Sequence, residues 1–375
     1  MKRVRIPLWG AGTGDLELRS PQERDQISTC RSRQSSTTRC ITSNVGRPIR
    51  TVLLVAYCLS ALLSRVASCS TDLKSACWDA NRRAVELSSQ ARLQQAAALL
   101  SETLAGLTET PEDRLCAGTT LANLANLRLR TGELQAAKEA ARTSIVRLEQ
   151  TLGTNSARLL DPLGVLANVA ILQERFNEAY ELIIQGEKLP GASHRDVATT
   201  QGLRALLMMR QGRDEEAEKN FRLALAEREL AGQQDSPEAF TELWNLGGLY
   251  MEQERIAEAV SLFQRCLRVS DASPFDPVMK VATLLALGIS YAKLSNREMA
   301  TNNFDRAIDL VDSLPTGFRL PLGRSLYYQY ARFLRNTGQK HRAKTIDEAA
   351  ERLFGKDRSG MTVALDSLFP KSRRH

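Results

Sequence analysis

Seven alanines recur along this chain at a nearly even interval: Ala96, Ala137, Ala179, Ala217, Ala259, Ala300 and Ala343, separated by 38 to 43 residues. Five residues before each stands a glycine or a polar or small substitute: Ala91, Gly132, Glu174, Gly212, Glu254, Ser295 and Gly338. In most copies a short apolar run precedes that position. A period of this length is the signature of a repeat array, in which each unit buries its apolar face only against its neighbours. It argues against a globular enzyme domain.

The fifth copy shows the packing in its spacing. Leu243, Leu246, Leu249 and Tyr250 recur at three and four residues, which makes one helical face apolar. Gly247 sits on that face and admits a second helix at close range. After the polar break Gln253-Glu254-Arg255, a second stripe runs through Ile256, Ala259, Phe263 and Cys266. Ala259 is small because it stands where the paired helices cross. The sixth copy repeats the arrangement with Leu284, Leu287, Gly288, Tyr291, Ala300, Phe304 and Ala307.

These residues resemble the tetratricopeptide repeat. The second copy matches through Leu121, Leu124, Ala125, Gly132, Ala137 and Ser144, with Arg128 in place of tyrosine. The third offers Leu163, Leu166, Ala167, Ala179 and Ile183, and the fourth Ala205, Met208, Gly212, Ala217, Phe221 and Ala224. The seventh has Tyr327, Tyr330, Ala331, Gly338, Ala343 and Ala350, but Asp347 replaces its phenylalanine. The first is the weakest, because Asn81, Arg82 and Arg83 interrupt its first helix, and it reads as a degenerate cap. The interval of about 42 residues exceeds the family's usual 34. It resembles the longer-period arrays of the kinesin light chain type. The resemblance implies an all-α, right-handed superhelical solenoid of about seven antiparallel hairpins over residues 78–352. Its concave groove would be lined by first helices.

Charge has to be located before it is interpreted. The net charge is +8, and residues 1–68 carry +7 of it. The repeat body is near neutral and has no broad electrostatic footprint for nucleic acid. Residues 1–50 are polar and aperiodic and read as a disordered basic leader, or as the product of a misassigned start. Residues 51–63, TVLLVAYCLSALL, form a short apolar run behind Arg47 and Arg50. With the small residues up to Ser68 they read as a signal peptide or short membrane anchor. Val66-Ala67-Ser68-Cys69 also resembles a lipobox, which would make Cys69 a lipidation site and attach the protein to a membrane. A cytosolic protein with an artefactual signal segment is the other reading. Residues 353–375 read as a C-terminal cap and tail.

Neither a catalytic nor a cofactor site is legible, and no metal site is. The seven cysteines contain no CxxC pair. The spacing permits a Cys69–Cys77 disulfide without requiring one, and Cys116 and Cys266 read as buried small apolar residues. His194, His341 and His375 read as solvated. Gly355-Lys356 lacks the Ser or Thr and the upstream glycine of a P-loop. The glutamates and aspartates are assigned to solvent faces. Function is therefore expected in the groove, with a protein or peptide as partner. Aligned by the family motif, Asn126 and Asn168 share one inward position, and Arg130 and Arg210 share another. An Asn amide can bond a peptide backbone and an Arg a carboxylate. The full carboxylate clamp is absent, since the Asn position becomes Leu206, Gly248, Ile289 and Arg332 in later copies. Trp244, Tyr327 and Tyr328 are further candidates, expected to be exposed beside the core stripe. The resulting expectation is a non-enzymatic scaffold, exported or membrane-attached. The alternatives are a cytosolic regulator and an accessory assembly subunit of an envelope enzyme or secretion complex.

Overall fold

The computed structural model describes residues 76–88, 90, 92–272, 277–313 and 316–355. The basic leader, the apolar segment 51–68, Cys69 and residues 356–375 lie outside the described residues. Among the described residues the fold is all-α, with fourteen helices and one 3-10 turn. Helix α1 covers residues 76–88. It is followed by α2 (Leu93–Gly106), α3 (Pro111–Arg130), α4 (Leu134–Leu152), α5 (Leu160–Leu172), α6 (Phe176–Glu187) and α7 (His194–Arg210). The series continues with α8 (Asp214–Leu230), α9 (Pro237–Glu252), α10 (Ile256–Ala272), α11 (Pro277–Lys293), α12 (Arg297–Ser313), α13 (Thr316–Asn336) and α14 (Lys340–Phe354). Odd and even helices pair as hairpins, each second helix packs on the next first helix, and first helices also touch one another (α3 on α5, α5 on α7, α7 on α9). The result is a solenoid.

Each of the seven alanines is the fourth residue of a second helix, and each is buried to within 1%. Its amide makes the first helical hydrogen bond of that helix, as Ala137 N–H does to Glu133 C=O and Ala259 N–H to Arg255 C=O. The position five residues earlier has positive φ at Gly132, Glu174, Gly212, Glu254, Ser295 and Gly338. At each of these turns the same two bonds close the first helix, for example Gly212 N–H to Met209 C=O and Arg213 N–H to Met208 C=O. This is the Schellman arrangement, which needs a left-handed residue after the helix end. Glycine adopts that conformation without steric cost, whereas Glu174, Glu254 and Ser295 carry a Cβ into it.

Three first helices start differently, from side-chain caps. Thr110 accepts the Asp113 amide ahead of α3, Ser193 and Asp196 form a capping box on α7, and Ser236 accepts the Ala239 amide on α9. Pro111 and Pro237 occupy the first helical turn, where no amide hydrogen is needed.

Glycines let the paired helices approach. A Cβ on Gly247 would lie 2.7 Å from the Phe263 ring, and one on Gly288 would lie 3.0 Å from Phe304. In the last hairpin Asp347 indeed packs no ring there and pairs with Arg335 instead. Phe354 compensates: it packs edge-on against Tyr327, with centroids 5.6 Å apart, in space left by Gly323. One continuous apolar core runs from Ala167 to Phe354.

The first hairpin has only a small cluster, Ala84, Ala96, Leu100, Leu124 and Leu127. A Cys77–Cys116 disulfide joins α1 to α3 beside it. This corrects two expectations. Cys77 pairs with Cys116 rather than with Cys69, and Cys116 is not a free apolar filler; among the described residues only Cys266 is a buried free thiol. The Asn81 that weakens the apolar pattern is 1% exposed and donates to Thr120 Oγ1 at 2.8 Å and to Cys77 C=O at 2.9 Å. It accepts from Asn123 Nδ2 at 2.7 Å.

If the left-handed turn is the constraint, Ser295→Gly should raise stability by about 0.5 kcal/mol and Gly338→Ala should lower it by about 1 kcal/mol. Urea denaturation of the two variants checks both signs.

Candidate protein-binding interface

The structure brings Asn126 and Asn168 to adjacent first helices, α3 and α5, which pack on each other. Neither side chain is open to solvent: Asn126 is 7% exposed and Asn168 is 0% exposed. Arg130 donates to Ser88 Oγ in the preceding hairpin. The Arg210 guanidinium lies 4.0 Å from Glu174, the left-handed residue of the preceding turn. Lys293 repeats this pattern, donating to both carboxylate oxygens of Glu254 at 2.8 and 2.9 Å. The basic residues that end α3, α7 and α11 therefore tie their repeats to the hairpin before them.

The aromatic candidates differ from expectation in exposure. Trp244 is 4% exposed, with Phe240 stacked 6.1 Å away and Phe263 tilted at 5.4 Å. Gly247 makes room for Phe263, and the indole fills the layer beside that ring. Tyr327 is likewise buried, with its hydroxyl donating to Asp312 at 2.8 Å, while Tyr328 is half-buried.

A second correction concerns acidic side chains. Asp196, Glu238 and Glu242 are buried rather than solvated. Arg228 near the end of α8, itself 2% exposed, reaches Glu242 Oε1 at 3.2 Å and Thr199 Oγ1 at 3.3 Å, joining α7, α8 and α9. Glu242 is fully enclosed, and burial pushes its carboxyl above the ordinary range against the lowering effect of Arg228. The Arg228–Glu242 pair had no sequence signal, because both residues look like surface charges until their helices are stacked.

On the outer side, Glu218 accepts from Arg255 at 2.7 Å and from the Tyr250 hydroxyl at 3.1 Å. Arg255 also lies 3.9 Å over the Tyr250 ring. Partial burial acts to raise the Glu218 carboxyl, but these bonds and the Arg222 charge together hold it below its usual value. Burial first, then Glu218, raises the Tyr250 hydroxyl. Among the described residues no cluster of His, Cys, Asp and Glu could hold a metal ion, and no helix is long and apolar enough to cross a membrane.

The profile of one protein family, described as Tetratricopeptide repeat, matches residues 245–270, which span the end of α9 and most of α10. No curated protein matches the sequence. Among solved structures, BtubC (BKLC) from P. vanneervenii is similar over 64% of this chain and 90% of that one, at 20% identity and a TM-score of 0.46. The pilF structure from Pseudomonas Aeruginosa is similar over 65% and 95%, at 18% identity and a TM-score of 0.45. A putative kinesin light chain from Podosopora anserina with nearly identical TPR-like repeats is similar over 62% and 92%, at 16% identity and a TM-score of 0.33.

The raised carboxyl of Glu242 has a pH consequence. A carboxyl whose folded value lies above its unfolded value contributes stability that is full below the unfolded value and lost as pH rises through the folded one. Glu242→Gln should therefore gain on the wild type as pH is raised from about 4 toward 7, the ordinary Glu value being ~4.3. Urea midpoints for the two proteins across that range test it; a constant difference would contradict a buried, raised carboxyl.

Proposed function

The chain is a tetratricopeptide-repeat protein, and we propose that it is a non-enzymatic scaffold that binds a protein or peptide segment along its first helices. The observation that carries this reading is the direct packing of α3 on α5, α5 on α7 and α7 on α9. Consecutive first helices held together in this way form one continuous layer, which a partner would reach at half-buried positions such as Thr119, Arg204 and Arg210, since α9 is buried from Glu238 to Met251. A layer of this shape suits an extended or helical segment better than a compact small molecule.

The reading extends to an exported protein. It is supported by the Cys77–Cys116 disulfide, a bond that persists in oxidising compartments and is rare where glutathione and thioredoxin keep thiols reduced. The same bond disfavours the cytosolic alternative. Attachment through residues 51–68 or through a lipid on Cys69 is consistent with export.

Site-specific photo-crosslinking in the native cell tests the binding surface. A photoreactive residue at Thr119, Arg210 or Ile289, on first helices, is expected to capture a discrete partner. One at Tyr180 or Leu223, which are 45% exposed on second helices, is expected not to. Capture only from the second helices would reverse the assignment. Mass spectrometry of the mature N-terminus tests export, and a protein that begins at Met1 and stays reduced would remove that part of the reading.

A further inference from the structure

The first hairpin differs from the others in what holds it. Its apolar cluster is small and separate from the core that runs through the later repeats. Helix α2, like α4, has no side-chain cap at its start, no acidic residue in its first turn and no basic residue in its last. Three contacts replace the missing apolar packing: the Cys77–Cys116 disulfide, the Asn81 bonds to Thr120 and Asn123, and the bond from Arg130 to Ser88. All of them run from α1 to α3. The disulfide has a sequence separation of 39 residues and encloses α2 completely. We propose that Cys77–Cys116 is a redox latch that keeps the first hairpin docked, and that its reduction releases α1 and α2 while α4–α14 stay folded.

The chemistry needs an external dithiol. One of its thiolates attacks a sulfur of the disulfide, the S–S bond breaks, and a mixed disulfide forms. The second thiol of the reductant resolves that intermediate. Two electrons and two protons pass to Cys77 and Cys116, which become thiols, and the dithiol becomes its own cyclic disulfide. Cys77 and Cys116 are 2% and 3% exposed, so the attack requires the hairpin to open first. In the oxidised form any opening is brief, because the ring closed around α2 limits how far α1 can move away. Once reduced, α1 loses that restraint. The small apolar cluster with the partly buried leucines around it, the Asn81 bonds, the Arg130–Ser88 bond and the Arg158 guanidinium over Trp78 then oppose its departure without a covalent tie. A buried amide network is worth most while every member is in place. Release would uncover Thr120, Asn123, Leu124 and Leu127 of α3, which are all buried in the docked state.

A thiol elsewhere in the array separates local from global opening. Cys266 is fully buried on α10, against Phe240 C=O, and burial pushes its thiol far above the ordinary value. It is alkylated only if the central repeats open.

The experiment treats the folded full-length protein with dithiothreitol. Hydrogen exchange is followed by segment, and iodoacetamide labelling by peptide mass. The expected result is exchange in residues 76–106 faster on the order of 100-fold, with labelling at Cys77 and Cys116. Exchange in α4–α14 should be unchanged and Cys266 unlabelled. The double variant Cys77→Ser, Cys116→Ser should show the same pattern without reductant. Because reduction starts from folded protein, the result stands even if that variant fails to fold. Unchanged exchange in residues 76–106 after complete reduction would overturn the latch. So would loss of protection throughout the array with Cys266 labelled, which would make the bond a global staple.

Discussion

The structure depends on how closely two helices can approach just after a three-residue turn. In six hairpins the second helix follows a left-handed residue, and three residues into that helix the chain meets its partner at an alanine. Any larger side chain there would push the helices apart or force neighbours from their rotamers. The same approach places Phe263 and Phe304 over Gly247 and Gly288, and those rings in turn define the layer onto which the next hairpin stacks. The turn residue has the weaker requirement of the two. Glu174, Glu254 and Ser295 tolerate the left-handed conformation, whereas every one of the seven alanines is buried. A backbone penalty of about 1 kcal/mol can be absorbed locally, but a clash at a helix crossing is carried into the next repeat.

That asymmetry explains what could be read from the sequence. The alanines and the turn positions were legible because each follows from contacts within about twenty residues, and so were the glycine–phenylalanine pairs of the fifth and sixth copies. Contacts between repeats were not. Nothing local distinguishes Cys116 from Cys69 as the partner of Cys77, since the choice depends on α1 lying against α3. Arg228 and Glu242 have the spacing of solvent-facing charges, and only stacking α7, α8 and α9 encloses them. Trp244 was misplaced for a related reason: its position in the motif faces away from the Leu243–Tyr250 stripe, but Phe240 and Phe263 close over it.

The array also changes its means of cohesion along its length. From Ala167 onward one apolar core suffices, and polar contacts there are additions to it. At the first hairpin the order is reversed. A helix containing Asn81, Arg82 and Arg83 cannot supply an apolar face, so a covalent bond and an amide network do the docking. The last hairpin meets a similar deficit in another way, by moving an aromatic ring from the position of Asp347 to Phe354. A terminal repeat has a neighbour on one side only, and the two ends of this chain answer that deficit with different chemistry.

The candidate interface has to be understood in the same terms. Arg130, Arg210 and Lys293 end their helices where a family resemblance places partner-binding groups, yet each reaches the hairpin before it. A guanidinium or ammonium at a helix C-terminus is favoured there by the helix dipole in any case, so residue type alone cannot separate a ligand contact from an inter-repeat tie. Position can. These three sit at the seam between hairpins, while Asn126 and Asn168 are closed to solvent on the adjacent helices α3 and α5. Arg130, Arg210 and Lys293 thus tie neighbouring repeats, a role compatible with meeting a partner. Ties of this kind hold the first helices in register, which is what any partner-binding role along them would require.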